Sequence, residues 1–236
     1  DGGSPAYRRA PGRHVTAAAI PPLQPFTDPD TIRLISTAYI DEPALSPLSD
    51  SDEDRDILET LEGLTSSRLA QSMPLPVGVL KSELLSPAHG YGWSLVNAAF
   101  CYTRPTGNRF NGPDRGAWYA STGENALETA QREVCWHLTR ELDATGIYEN
   151  ITDYRELLAG ITSNLHDLSG RQGDPALDPD PMLGYPAGQA FAASLRAAGS
   201  NGILYPSLRR PGGICFAAFR LSMVQNIRQG RTWRFV

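Results

Sequence analysis

Three short stretches carry residue types suited to chemistry on an anionic ligand. RFNGPDRGAWYAS, residues 109 to 121, sets Arg109 and Arg115 around a loop of Asn111, Gly112, Pro113 and Asp114, with Trp118 and Tyr119 directly after it. Glu133 stands in REVCWHL beside apolar residues, and a carboxylate on the edge of a buried face is costly unless it is paired or functional. SLRR, 207 to 210, places a hydroxyl and two guanidiniums in a turn followed by PGG, whose glycines allow backbone amides close to a ligand. Arginine forks match phosphate oxygens bidentately, and tyrosine offers a flat stacking face with a polar tip. Each stretch alone also fits a plainer description: a solvated hairpin, a boundary glutamate paired with an arginine, and a charged turn.

Composition narrows the field. The chain has 236 residues, enough for one large domain or a domain with an extension, with 41% hydrophobic and 20% charged residues. Its formal net charge of -5 argues against a non-specific binder of nucleic acid or anionic membranes, which usually carries a basic stripe. No direct nucleic-acid partner and no membrane partner are therefore expected. No apolar run approaches the roughly 18 residues of a membrane span, and no signal-peptide pattern opens the sequence, which starts at Asp1 rather than Met. Cys101, Cys135 and Cys215 are odd in number and widely separated, which suits a reducing cytoplasm. His14, His89, His137 and His166 have no zinc-type spacing, so no metal is expected. A G-x-G-x-x-G fingerprint, a phosphate loop and a G-x-S-x-G elbow are all missing.

The elements that must position these residues can be read from periodicity and punctuation. Residues 1–30 are rich in Pro, Gly and Ala and read as an extended arm, leaving 31–236 as the main domain. IRLIST at 32–37 reads as a short strand, and LSPLSDSDEDRDILETLEG as an acidic loop entering a helix capped by Ser51 or Asp52. SMPLPVGVLKSELL reads as loop and turn. GWSLVNAAFCYT, 92–103, fits a buried strand or a short helix equally. GAWYAS, 116–121, is a strand. ENALETAQREVCWHLTREL, 124–142, is a helix with Leu127, Ala130, Val134 and Leu138 on one stripe. On it, Glu133 falls beside the stripe, and His137, one turn on, is expected to give a supporting hydrogen bond. GIYENITDY is strand-like, and 160–188, containing DPALDPDPM, is loop. AGQAFAASLRAAG, 187–199, is a second helix; NGILYPSLRRPGG and ICFAAFRLSMV supply two more strands. This order predicts an α+β core rather than a doubly wound sheet.

Arg109 in NRFN, Tyr119 in WYAS, Glu133 in REVCWHL and Ser207 in YPSLR, in this order, resemble the RES domain, named for its Arg, Glu and Ser. GILYPSLRRPGGICFAAF is similar over nearly its whole length, and IRLIS around Arg33 resembles the family's early arginine-bearing strand. The resemblance covers about residues 31 to 225. It implies an ADP-ribosyltransferase-like fold, with mixed sheets and flanking helices around an NAD cleft. It also implies a toxin of a bacterial toxin-antitoxin pair that breaks the nicotinamide-ribose bond of NAD, here a substrate. ADP-ribose would pass to a protein, to phosphate or to water, and an Xre-type antitoxin would be the partner. On this basis Glu133 is expected to stabilise charge on the ribose and Arg109 to grip the pyrophosphate. Tyr119 would stack on the nicotinamide end, Ser207 would bond a phosphate or the nicotinamide amide, and Arg33 and Arg209 would complete the anionic clamp. Arg104 and Arg115 are expected at the surface or stabilising loops, and Trp118 in the core. Trp136 lies off the stripe and is free to meet a partner. The alternative is a catalytically idle module that keeps the fold only to bind its antitoxin.

Overall fold

Residues 20–39 and 75–236 are described by the computed structural model. The arm up to residue 19, the helix expected within 46–63 and Arg68 lie outside the described residues.

Two long strands form the spine. β1 (Leu23–Ser36) runs antiparallel to β3 (Thr152–Asp167), from Leu23 opposite His166 to Ser36 opposite Tyr154. The ladder is irregular between Asp28 and Thr31. Pro29 falls in that irregularity, where its missing N–H costs no ladder bond, and the Asp28 carboxylate accepts from the Asp30 amide at 2.8 Å. β1 thus begins inside the Pro-rich segment expected to be an arm. β3 likewise runs through 160–167, expected to be loop, because pairing along β1 outweighs the weak strand preference of Gly160, Ser163 and Asn164.

The remaining strands close the pairing on itself. β2 (Trp118–Thr122) pairs with β5 (Ile214–Ala218), and β5 with β4 (Gly202–Pro206), all antiparallel. β4 meets β3 in parallel at His166 and Ile203, and β1 meets β2 at Ile32 and Ser121. The order β1–β2–β5–β4–β3 therefore returns to β1, while β6 (Gln225–Phe235), a strand the sequence reading did not assign, pairs antiparallel with β3.

Strand alternation gives the sheet two apolar faces. Trp118, Ala120, Leu157 and Phe216 face one cluster, covered by α1 (Trp93–Cys101) through Leu95, Val96 and Phe100. The segment 92–103, which fitted strand or helix, is therefore mostly helix. Ile203, Tyr205, Cys215 and Ala217 face the other cluster, with Phe110, Ala192 and Leu195. Tyr119 and Ser121 stand on this second face, since they lie directly opposite Ala217 and Cys215.

Two helices frame that second face. α2 (Ala126–Thr145) carries Glu133 and ends at Gly146, whose φ of 69° suits a residue without a side chain. α3 (Pro181–Ala197) begins earlier than the sequence reading placed it. Asp180 caps it by accepting from the Met182 amide at 2.9 Å, and Pro181 occupies the first turn, where no N–H is needed. Pro186 lies inside the helix. The architecture is α+β, with a mixed six-stranded sheet and flanking helices. Among the described residues, no helix is long and apolar enough to cross a membrane.

Candidate functional site: a carboxylate in a cationic cleft

Glu133 is half-buried on α2, above the row formed by Ser121, Cys215 and Tyr205 on three adjacent strands. Its Oε1 accepts a hydrogen bond from the Ser207 hydroxyl at 2.6 Å, a length typical of a bond to a charged oxygen. The Ser207 oxygen in turn accepts from the backbone amides of Arg209 at 3.2 Å and Arg210 at 3.1 Å. A serine hydroxyl has one hydrogen and two lone pairs, so all of its capacity is engaged. Ser207 therefore orients Glu133, and its hydroxyl is not free for the phosphate or amide contact expected from the sequence.

Beneath the same oxygen lies the Cys215 sulfur, 3.9 Å from Oε1 and 3.7 Å from the Ser121 hydroxyl. Burial, then the neighbouring Glu133, pushes the Cys215 thiol up to about 12, which makes it a neutral floor rather than a nucleophile. The two glycines after SLRR differ: Gly212 takes a positive φ of 76°, and a side chain at Gly213 would meet the Thr129 hydroxyl of α2 at 2.6 Å.

Arg109 is 7% exposed, and its Nη1 donates to the carbonyls of Ala176 and Asp178, each at 2.8 Å. Its guanidinium carbon lies 5.3 Å from the centroid of the Tyr185 ring. Glycines bring α3 close enough for this: a Cβ on Gly184 would stand 2.6 Å from Arg109 Nη1, and one on Gly188 would stand 2.3 Å from the Arg109 carbonyl. Arg209 lies flat on Trp136, 3.5 Å from the ring centroid, and donates to the Pro179 carbonyl at 3.1 Å. Arg140 also approaches Trp136, at 4.8 Å. Trp136 is thus an arginine platform within the chain itself.

Tyr119 stands on the site's face, but its hydroxyl is taken. It accepts from the Phe110 amide and donates to Asn111 Oδ1, both at 2.9 Å, so it latches the loop that carries Arg109. Burial pushes its phenol up, which leaves it no role as a base. Arg33 is not brought to this face. It lies opposite Leu157, its guanidinium stacks on Trp118 at 4.9 Å, and its Nη1 holds the Tyr119 carbonyl at 3.0 Å. Burial lowers it to about 10. Trp118, 1% exposed, is in the core as expected. Arg115 is a buried brace, bonded to the carbonyls of Gly78 at 2.8 Å and Phe219 at 3.1 Å. Arg104 pairs with Glu141 at the surface.

His137 stacks edge-on against Trp136 and gives no hydrogen bond to a described residue, contrary to expectation. Burial, then Arg104, Arg209, Arg140 and Arg109, push its imidazole down to about 4. The same cationic surroundings act on Tyr185, a residue the sequence reading passed over. Among the described residues Glu133 has no ion-pair partner, and Arg210, in the turn after Ser207, pairs with Glu128 at 2.8 Å. Two surface depressions, of about 450 and 550 Å³, lie elsewhere, around Asp28 and Glu124 and around His89 and Arg228. No group of His, Cys, Asp and Glu among the described residues could hold a metal ion.

The family model described as the RES domain matches residues 84–236. No curated protein matches the chain. Among solved structures, it is similar to a chain of the M. tuberculosis MbcT-MbcA toxin-antitoxin complex, at 18% identity and a TM-score of 0.39, over 56% of this chain and 73% of that one.

Proposed function

The chain belongs to the RES domain family, and on that premise we propose that it is an NAD-consuming toxin whose cleft breaks the nicotinamide-ribose bond. One observation carries the reading: a carboxylate fixed by a hydroxyl at 2.6 Å, without an ion-pair partner among the described residues, in surroundings that include Arg109, Arg209 and Arg140. NAD presents a matching pattern, with a pyrophosphate at its centre and a ribose that becomes cationic when nicotinamide departs.

In the proposed step the C1′–N bond breaks and its electron pair stays with the nicotinamide nitrogen, which leaves neutral. Positive charge grows on the ribose as an oxocarbenium-like species. The fixed charge of Glu133 stabilises it, an effect commonly worth about 3 to 4 kcal/mol per group. An acceptor then forms the new bond at C1′ with its own lone pair and loses a proton to solvent. Ser207 and Cys215 hold Glu133 Oε1, so Oε2 is the oxygen offered to the ribose. Arg109 and Arg209 meet the pyrophosphate, with Arg109 pre-set by its two carbonyl bonds. Tyr119 contributes its ring face, and Arg33 supports it from behind.

The product is ADP-ribose joined to a protein side chain, to phosphate or to water, and the cell loses NAD or an essential protein function. Such an enzyme requires restraint, for which the family resemblance implies a cognate Xre-type antitoxin. Mass spectrometry of the ADP-ribose product, with and without added phosphate and with cell extract as a protein source, tests the reading. One adduct that appears with its acceptor supports it. Intact NAD under every condition contradicts it.

A further inference from the structure

Three phenols lie near Glu133 and Arg109: the Tyr119 hydroxyl is engaged, while those of Tyr205 and Tyr185 make no hydrogen bond with a described residue, and Tyr185 is the more exposed of these two. Tyr119 is latched to the Arg109 loop. Tyr205, 8% exposed, is packed edge-on against Phe110 with ring centroids 4.8 Å apart. Tyr185 is half-buried near the start of α3, and its hydroxyl makes no hydrogen bond with any described residue. Its ring is fixed all the same. Gly184 and Gly188 on either side press the helix against Arg109, whose guanidinium lies over the ring at 5.3 Å. A rigid ring with an unengaged hydroxyl is a pre-placed donor.

The surroundings say what it would donate to. Arg109, Arg209 and Arg140 all act on this phenol, and Glu133 is an anion among its charged neighbours. A ligand oxygen drawn into such surroundings is an anionic one. We propose that Tyr185 is a substrate-contacting residue of the cleft: its hydroxyl donates to a pyrophosphate oxygen of the dinucleotide while its ring face keeps the Arg109 guanidinium in place. This assignment rests on the reading of the cleft as an NAD site. It gives the short α3 segment Gly184-Tyr185-Pro186-Ala187-Gly188 a direct part in binding.

The test uses the full chain in a Glu133→Gln background, so that NAD is bound without being consumed. Calorimetric titration with NAD and with ADP, which keeps the pyrophosphate and lacks the nicotinamide riboside, is compared with and without Tyr185→Phe. The phenylalanine keeps the ring and its stacking, so the unfolding midpoint should stay unchanged. Affinity for both ligands should fall by about tenfold, as for loss of a hydrogen bond to a charged group. Unchanged affinity for NAD overturns the role of Tyr185 and leaves the cleft assignment standing. Weakened NAD binding with unchanged ADP binding overturns the phosphate contact. If the Glu133→Gln protein binds neither ligand, the reading of the cleft fails and the proposal with it.

Discussion

Glu133 and Arg109 border the same phenols, Tyr185 and Tyr205, yet they are held in opposite ways. The carboxylate is fixed by side-chain donors, Ser207 above all, and the guanidinium by backbone acceptors at Ala176 and Asp178. Neither charge is neutralised by a counter-ion among the described residues. A direct salt bridge would have cancelled both and left little for a ligand. Neutral hydrogen-bonding partners fix geometry while preserving charge, which a site for electrostatic catalysis needs. On the proposed function the difference also separates duties: the Glu133 end would act in the transition state, and the Arg109 end would bind.

The largest effect should follow from Glu133→Gln, which keeps size and removes charge. Nicotinamide release should fall by at least about a hundredfold with modest change in NAD affinity, the signature of a lost transition-state interaction. Near-normal turnover would remove Glu133 from the chemistry and collapse the contrast.

Ser207→Ala comes next. Steady-state kinetics should give a kcat reduced by roughly ten- to thirtyfold with KM little changed, because the serine acts through Glu133. A rise in KM with unchanged kcat would instead place Ser207 against the substrate, as its sequence position alone suggested.

Arg109→Lys probes the opposite end. Lysine keeps the charge but cannot span two carbonyls and a ligand with a planar fork, so KM for NAD should rise by about tenfold with a smaller change in kcat. A kcat effect equal to that of Glu133→Gln would mean that the two ends do not divide binding from chemistry.

A smaller effect concerns His137, one turn after Glu133 on α2. The His137 imidazole is pushed down from 6.5 to about 4, by burial first and then by four arginines. Between those values the unfolded chain binds a proton there and the folded chain does not. Stability should therefore fall as pH drops from about 6.5 to about 4. Urea midpoints measured at intervals across that range should decline less in His137→Gln than in the native chain. Parallel declines would show that burial and the arginines do not hold the His137 imidazole down.

Much of the Glu133 end was legible in the sequence. Helical spacing put Glu133 beside an apolar stripe, and the YPSLR turn marked Ser207, because both signals are local. The partnership between them was not legible, since it joins residues on α2 and after β4 that only the sheet brings together. Arg33 was misplaced for a related reason. Its register opposite Leu157 turns it to the other face, and a strand read in isolation has no register. Tyr185 was passed over because it lies in the Gly-, Pro- and Asp-rich region 160–188, where the helix already runs from Pro181. β6 went unread because its exposed arginines and glutamines leave only Ile227 buried along the strand.

The most direct measurement of the central claim is a time course of purified chain with NAD, following free nicotinamide by chromatography. The account predicts steady release of nicotinamide in step with loss of NAD. NAD that remains intact over the whole course, with the folded chain and excess phosphate present, would contradict it.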